Sequence, residues 1–423
     1  MEAGGSWPIV WEQARGTRVR DVDGKNYLDL TAAFGVAAAG HANPRVIRAG
    51  QKQMSSMLHA MGDVHPHALK ARLARELSRI TFERWSKTKH EAKHQQQGKV
   101  NRNGKTIFCN SGFEAVEAAL KTAMMATGKP GVIAFGGAYH GLGYGALNAT
   151  HRQHFRAPFR NQLRQFGHFT PFPSKPEEIA RVGKAIRGLL RRRNIGAILV
   201  EPIQVRGGIN IPPKEFLPLL RRLCDEYNAL LILDEIYTGF GRTGKWFACE
   251  HFGVLPDIIC VGKALTGGFP LSACVGRASL MDAAWPASSG EAIHTSTFLG
   301  HPVGCAMALA QIQEIETRKL VRRSAELGAR LLSALSCLDL HPPAVNVSVR
   351  GLGLLAGVEL CQPGGAPATG AALQAIKVML RRGYILLPEG EHSNVISFTP
   401  PLVISEAQLR EAVSELRNVL GGK

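Results

Sequence analysis

The 423-residue sequence lacks three features that would place it in a special class of protein. No stretch approaches the roughly 18 uninterrupted apolar residues of a membrane-spanning helix, so we expect no membrane partner. The N-terminus, MEAGGSWPIVWEQARG, has no apolar core of the kind found in secretory signals. The eight cysteines form no Cys-x-x-Cys pair, which argues against a metal site and a disulfide framework. These absences favour a cytoplasmic, reducing environment.

Acidic residues are also scarce, since 33 Asp and Glu accompany 51 Lys and Arg and give a formal net charge of +18. A basic protein can bind nucleic acid. Here, however, the cations are spread along the chain, and the run RVGKAIRGLLRRR at 181–193 has the spacing of the solvated face of an amphipathic helix. We therefore expect no nucleic-acid partner, although the charge would attract anionic substrates.

Short apolar runs alternate with helical patterns, which predicts an α/β fold with a largely parallel sheet. The predicted strands are 106–109, 131–135, 196–202, 229–235 and 257–262, and the predicted helices include 114–128 and 213–228. The polar, basic segment 87–104 is interpreted as a mobile insertion without a role in the chemistry. A long helical pattern after about residue 310 indicates a separate, smaller domain, and the chain length favours two domains.

One lysine stands in an unusual place. In DIICVGKALTGG, Lys263 lies between an apolar run and a glycine pair, where an unpaired charge would be costly to bury. Desolvation lowers a lysine pKa and makes the amine nucleophilic toward a carbonyl. As a Schiff base, the lysine would no longer be a solvated ammonium, which explains its position.

Three other features lie near predicted strand ends, where open α/β sheets bind ligands. Ser111 and Glu114 have the spacing of a capping box, so Ser111 would cap a helix whose start can bind an anion, or cap it and nothing more. Asp234 ends an apolar strand and needs a cationic partner, either a protonated pyridine nitrogen or an arginine. Tyr139 precedes a glycine-rich stretch and could stack on a flat ligand.

The glycine motif GFGRTG at 239–244 matches a dinucleotide-binding pattern, but no clear helix start follows it, so we interpret the match as accidental. An anion site, an aromatic ring, a carboxylate for a ring nitrogen and an activated lysine together describe a site for pyridoxal 5′-phosphate (PLP).

The motifs quoted so far, together with VRDVDGKNYLDL, EPIQ, DEIYTGFGRTG, GKALTGG and HTSTFLGHP, give the chain a family resemblance over nearly its whole length. It resembles the class III aminotransferases of PLP fold type I, a group that includes acetylornithine, ornithine and 4-aminobutyrate aminotransferases and glutamate-1-semialdehyde aminomutase. The resemblance implies a large PLP-binding domain at 51–310 with a mostly parallel sheet flanked by helices. A smaller α+β domain at 311–423 would pack with the N-terminal segment 1–50.

The resemblance also assigns roles by position. Lys263 resembles the lysine that holds PLP and shuttles a proton, and Asp234 matches the carboxylate that keeps the pyridine nitrogen protonated. Ile236 and Tyr139 would pack on the two faces of the ring. The phosphate would be held by Ser111, Gly112 and Phe113, and by Thr297 from the neighbouring subunit, which implies a homodimer with shared active sites. Glu201 matches a glutamate near the substrate pocket.

Three positions depart from the family pattern. Tyr237 stands where many members have glutamine, and its phenol could lie near the cofactor 3′-oxygen or at the surface. Leu142 and Ser397 stand where the ornithine and acetylornithine enzymes carry arginines that bind substrate carboxylates. Any of the arginines at 152, 156 and 350 could substitute, and the sequence does not decide among them.

The sequence thus predicts a PLP-dependent aminotransferase that uses a Lys263 Schiff base. It would move an amino group between an amine or amino acid and a 2-oxo acid or aldehyde. An aminomutase, racemase or decarboxylase on the same scaffold is the alternative. A basic nucleotide- or nucleic-acid-binding protein that keeps the fold without catalysis is a further one.

Overall fold

The computed structural model describes residues 8–62, 64–87, 103–287, 290–338 and 345–421. The N-terminal part contains β1 (Trp11–Arg15), β2 (Arg18–Asp21), β3 (Asn26–Asp29), a one-turn element α1 (Ala32–Gly35), α2 (Pro44–Ser56) and α3 (Ala68–Ser78). Most of the insertion predicted at 87–104 lies outside the described residues, and its last residue, Gly104, begins a strand.

A seven-stranded sheet forms the centre of the molecule. Its strands are β4 (Gly104–Cys109), β5 (Gly131–Phe135), β6 (Gly167–Thr170), β7 (Ile195–Val200), β8 (Leu230–Asp234), β9 (Ile258–Val261) and β10 (Ser272–Arg277). Their order is β4-β10-β9-β8-β7-β5-β6, and only β10 runs antiparallel to its neighbours. Strands β5, β7, β8 and β9 are buried throughout, as expected for parallel strands covered on both faces. The α/β prediction is therefore confirmed, while β6 and β10 were not predicted.

Helices connect and cover these strands. They are α4 (Gly112–Thr127), α5 (Tyr144–Leu147), α6 (Gln153–Arg156), α7 (Ile179–Arg192), α8 (Phe216–Tyr227) and α9 (Ala278–Ala284). Helix α7 buries Val182, Ile186 and Leu190, which are spaced four residues apart, and exposes the arginines at 181, 191 and 192. The basic run at 181–193 is thus the solvated face of an amphipathic helix, as its spacing indicates.

The C-terminal part is built on an antiparallel sheet of order β11-β12-β15-β14. Its elements are α10 (Pro302–Thr317), α11 (Leu320–Ser336), β11 (Asn346–Gly351), β12 (Ala356–Cys361), α12 (Thr369–Arg381), β13 (Tyr384–Ile385), β14 (Leu387–Glu389), β15 (Val395–Phe398) and α13 (Glu406–Leu420). Strand β13 pairs with β3, which joins the N-terminal strands to this part. Helix α10 runs across the domain boundary predicted at 310–311.

The segment 239–244 follows the central sheet without opening a helix. Its Arg242 is buried and donates hydrogen bonds to the backbone oxygens of Leu354, at 3.0 Å, and Pro400. Through Arg242, this glycine-rich segment therefore links the C-terminal part to the central sheet by hydrogen bonds. Within the described ranges, no helix combines the length and apolar character that crossing a membrane requires.

Candidate active site

A cavity of about 320 Å³ lies at the carboxyl ends of strands β7 and β8, beside the segment that follows β9. Parallel strands present their carboxyl ends at one edge of a sheet, so residues distant in sequence meet there. Eight of the ten predicted site residues line it: Gly112, Phe113, Tyr139, Glu201, Asp234, Ile236, Tyr237 and Lys263. Ser111 lies beside it, at the start of α4, and Thr297 does not line it.

Lys263 begins a single turn of 3-10 helix directly after β9. Its φ of +33° is rare for a residue with a side chain, and such backbone conformations are concentrated at functional sites. The Nζ atom lies 4.7 Å from the centroid of the Tyr237 ring. Burial lowers the pKa of the Lys263 amine, while the nearby carboxylates of Asp234 and Glu201 act in the opposite direction. The neutral, nucleophilic form of this amine is therefore more accessible than in a solvated lysine.

Asp234 is the last residue of β8, and its carboxylate is almost fully buried. One oxygen, Oδ1, accepts a hydrogen bond from the Ile236 N–H at 3.1 Å. The other, Oδ2, lies 2.8 Å from Nδ1 of His140, a buried histidine. The Nε2 atom of His140 is buried without a hydrogen-bond partner among the described residues. Sequence reasoning used Tyr139 from the motif AYHGLGYG and missed its neighbour His140.

Helix α4 begins with the predicted cap residues, Ser111 and Glu114. Glu114 accepts hydrogen bonds from the backbone N–H groups of Asn110, at 2.7 Å, and Ser111, at 3.3 Å, which is one half of a capping box. Ser111 is the N-cap residue of α4 and forms the capping box with Glu114 that the sequence predicts, although its hydroxyl makes no close hydrogen bond to the first turn. Its Oγ is instead buried without a partner in the described part of the chain. A side-chain donor and free backbone N–H groups thus point to an anion at this helix start.

Ile236 and Tyr139 both line the cavity. Ile236 packs against the helix start so closely that a Cβ on Gly112 would lie 3.1 Å from its Cδ1 and Cγ2 atoms. Tyr139 packs edge-on against Phe155, and its backbone N–H donates to Glu201 Oε2 at 3.3 Å. Burial raises the pKa of Glu201 well above its ordinary value, and the neighbouring Asp234 raises it further.

Tyr237 is buried, which rules out the surface role considered from the sequence. Its hydroxyl lies 3.3 Å from Oγ1 of Thr399, and burial raises its pKa. The element α1 packs closely against the Tyr237 ring. Its Gly35 has φ +81°, and a Cβ on this residue would lie 2.8 Å from Cε1 of Tyr237. Only glycine suits this combination of left-handed backbone and close approach.

The proposed carboxylate-binding arginines have other partners. Arg350 donates to the backbone oxygens of Gly208 and Ile209 and to Glu359. Arg156 lies over the ring of Phe169, at 4.8 Å. None of the three predicted arginines lines the cavity. Arg152 contacts the backbone of a residue that lines the cavity, because its Nη2 donates a hydrogen bond to the backbone oxygen of Arg206 at 2.6 Å.

The guanidinium that does line the cavity belongs to Arg206, which sequence reasoning missed. Leu142 also lines it, as an exposed apolar side chain, and Ser397 is buried in β15. Neither can bind a carboxylate as an arginine does. The motif VEPIQVRGG contains Arg206 five residues after Glu201, and that proximity was the available signal.

These residues fit PLP. The unpartnered Ser111 hydroxyl at a helix N-terminus suits its phosphate, the strand-end carboxylate of Asp234 suits its ring nitrogen, and the amine of Lys263 suits its carbonyl. Fold and cavity together define a PLP-dependent enzyme of fold type I.

Comparison with known proteins identifies the family. The model of the family described as aminotransferase class-III matches residues 2–420. The chain is 36% identical to the acetylornithine aminotransferase of Methanosarcina mazei, over 98% of this chain and 93% of that protein. It is 35% identical to the 5-aminovalerate aminotransferase of Pseudomonas aeruginosa, over 97% and 92%. It is 36% identical to the putrescine aminotransferase of Pectobacterium atrosepticum, over 99% and 84%.

Solved structures agree. The PLP-bound amine transaminase of an uncultivated Pseudomonas species has a TM-score of 0.87 at 27% identity, covering 99% of this chain and 97% of that one. The chain belongs to the class III aminotransferase family. It is a PLP-dependent aminotransferase that moves an amino group between an amine or amino acid and an oxo acid or aldehyde. The relatives named above are aminotransferases, which favours this activity over the aminomutase, racemase or decarboxylase alternative.

Proposed function

We propose that Lys263 carries the cofactor and moves the substrate proton, and that Asp234 controls the cofactor ring. When bound, PLP supplies a carbonyl that condenses with amines and a ring that withdraws electrons from the substrate. The observation that carries the proposal is a lysine amine, with a pKa lowered by burial, in one cavity with a strand-end carboxylate. In its neutral form, Lys263 Nζ would hold the cofactor at its carbonyl carbon and, once substrate has taken its place, would accept the proton from the substrate carbon next to nitrogen.

The surrounding residues position the cofactor in this proposal. The Ser111 hydroxyl and the N–H groups of Gly112 and Phe113 hold the phosphate, supported by the unpartnered Ser111 Oγ. Tyr139 and Ile236 pack on the two faces of the ring, supported by their places on the cavity wall.

Two further residues complete the site. Tyr237 places its phenol near the cofactor 3′-oxygen, supported by its ring lying beside Lys263 Nζ. Glu201 stands on the substrate side, where burial favours its protonated form.

A homodimer with shared sites is also part of the proposal. Thr297 is exposed and lies outside the cavity of its own chain, although the family resemblance puts this threonine on the phosphate. Nearby Phe298 and Ile293 are exposed apolar side chains, as are Leu58 and Met61, and such residues favour burial in an interface. Thr297 would therefore reach the site of a second copy of the chain.

We also propose a division into domains and a cellular compartment. The pairing of β3 with β13 supports an N-terminal segment, 1–50, that packs with a small domain at 311–423 beside a large domain at 51–310. All eight cysteines are free, and six of them are buried, which suits the reducing cytoplasm.

Reduction with borohydride tests the central proposal. In the PLP-loaded protein, reduction should bleach the visible absorption band and add the cofactor mass to the peptide that contains Lys263. Lys263→Ala should still fold and retain PLP noncovalently, but gain no mass and lose several orders of magnitude in turnover. Lys245→Ala, which removes an exposed lysine, is the matched control and should behave as wild type. Label on a different lysine, or substantial turnover by Lys263→Ala, would refute the assignment.

The relatives suggest which substrates to screen. Acetylornithine, 5-aminovalerate and putrescine should be compared as amino donors with pyruvate and 2-oxoglutarate as acceptors. Conversion of at least one donor is expected. If a wider panel of amines also fails to change the cofactor spectrum of the wild-type protein, the proposed function is wrong.

A further inference from the structure

The cavity contains a cation whose position and partner suit the recognition of a substrate carboxylate. Arg206 lies on the segment after β7, and its guanidinium carbon is 5.7 Å from the centroid of the Tyr139 ring. Its backbone is held from two sides, because its carbonyl oxygen accepts hydrogen bonds from Arg152 Nη2 at 2.6 Å and from the Gly390 N–H at 3.3 Å. The side chain is 30% exposed, so a ligand in the cavity can reach it.

The partner of Arg206 is Glu389, the last residue of β14. Its carboxylate is only 1% exposed and lies 3.2 Å from Arg206 Nη1 through Oε2 and 3.5 Å through Oε1. Both contacts come from one nitrogen, only the contact with Oε1 is a hydrogen bond, and both distances exceed the roughly 2.7–2.9 Å of a strong charged pair. Within the described residues, this is the guanidinium's one hydrogen-bonded contact, so its remaining N–H groups are available for a ligand.

Keeping Glu389 charged is costly. Burial raises the pKa of Glu389 to about 7, although Arg206 and Arg152 oppose this shift. A carboxylate that is weakly held and readily protonated is easily replaced by a better-placed one. Strand β14 also pairs with β15, the strand that carries Ser397. The cation near this strand pair is therefore supplied by the segment after β7.

We infer that Arg206 binds the carboxylate of amino-acid and oxo-acid substrates, and that Glu389 is its counter-ion when no such substrate is present. This inference rests on the proposed function and adds the class of substrate to it. A diamine would place its second ammonium near Arg206 and be repelled, whereas an ω-amino acid would present a carboxylate. The site thus favours substrates that carry a carboxylate over simple amines.

Binding of valerate tests the inference without turnover, because valerate has a carboxylate and a carbon chain but no amine to react. Calorimetry on the PLP-loaded protein should show that Arg206→Met weakens valerate binding by roughly 10- to 100-fold. Glu389→Gln, which removes the competing charge and keeps the shape, should tighten it several-fold. Arg156→Met is the matched control, since it removes a guanidinium outside the cavity, and should change the affinity by less than about twofold.

Each contrary result has a definite meaning. No valerate binding by the wild-type protein, or equal affinity in Arg206→Met and wild type, overturns the role of Arg206. A loss in Glu389→Gln as large as that in Arg206→Met overturns the counter-ion role of Glu389. Thermal melts and cofactor content must match those of wild type, so that misfolding is not mistaken for lost recognition.

A pair of donors then extends the test to turnover. The wild-type protein should prefer 5-aminovalerate to its neutral carboxamide, and Arg206→Met should abolish that preference by raising KM for the acid alone. Equal losses for both donors would show that Arg206 is merely structural. If neither donor reacts but valerate binding follows Arg206, the proposed function fails while the carboxylate site stands.

Discussion

The imidazole Nδ1 of His140 lies 2.8 Å from Oδ2 of Asp234, and both side chains are buried. This contact makes His140 a positioning residue, because it orients the carboxylate proposed to face the cofactor's ring nitrogen. A buried carboxylate that loses a hydrogen-bond partner loses both orientation and stabilisation of its charge.

Replacing His140 should therefore impair the cofactor site without unfolding the protein. We expect His140→Phe to lower PLP affinity and turnover by roughly 10- to 100-fold, the usual effect of losing a hydrogen bond to a charged group. His140→Asn can place an N–H donor near Oδ2 and should recover part of both. Equilibrium PLP binding and steady-state rates check this. Equal defects in the two variants would mean that only the volume of the side chain matters.

Removing the Asp234 carboxylate should lower PLP affinity and turnover more than replacing His140. Truncation of one partner in a buried ion pair typically costs about 3–5 kcal/mol, so Asp234→Ala should lose PLP affinity by more than a hundredfold and nearly all turnover. Asp225→Ala is the control, because this aspartate is exposed on α8, where it pairs with Arg221. Cofactor titration of the apo-protein measures the effect. Unchanged affinity in Asp234→Ala would show that the carboxylate does not face the ring.

The lowered pKa of Lys263 predicts how PLP loading depends on pH. The neutral amine is the nucleophile, and a lowered pKa makes it abundant at lower pH than in an ordinary lysine. The rate at which apo-protein acquires its visible absorption band should rise with pH. It should reach half its plateau below the ordinary lysine pKa of about 10.4. A midpoint at or above that value would contradict the burial argument.

Mixed dimers test the place of Thr297. Lys263→Ala should be inactive, and Thr297→Glu should be badly impaired, because its carboxylate would repel the phosphate. If Thr297 serves the partner's site, a heterodimer of the two variants has one site with an intact lysine and an intact threonine. Activity should then return to about half of the wild-type value per heterodimer if the sites act independently.

The opposite arrangement gives a different result. If Thr297 acts within its own chain, every site in the mixture carries one lesion. Subunit exchange confirmed by mass spectrometry, with no recovery of activity, would therefore exclude a shared site. Re-mixing each variant with itself is the control for the exchange procedure.

Much of the fold follows from local sequence. Five of the seven central strands were predicted within three residues of their bounds, because buried parallel strands are short apolar runs between turns. Strand β6 was missed because GHFT is short and half polar, and β10 because its run follows the glycine-rich turn after Lys263 without a clear break. Helix α4 was recognised from its period and from the capping-box spacing of Ser111 and Glu114.

The sequence by itself determined which residues end the strands and which lysine stands in an apolar setting, so Lys263 and Asp234 could be chosen from neighbouring residues alone. Only the tertiary structure decided the partners. His140 meets Asp234 across 94 positions, and Arg206 meets Glu389 across 183. Local patterns report the propensity and burial of a segment, whereas a contact between distant side chains depends on how strands and loops are ordered in space. For that reason the residues proposed for the cofactor site could be chosen from the sequence, whereas the pairing of Arg206 with Glu389 could not be predicted from it.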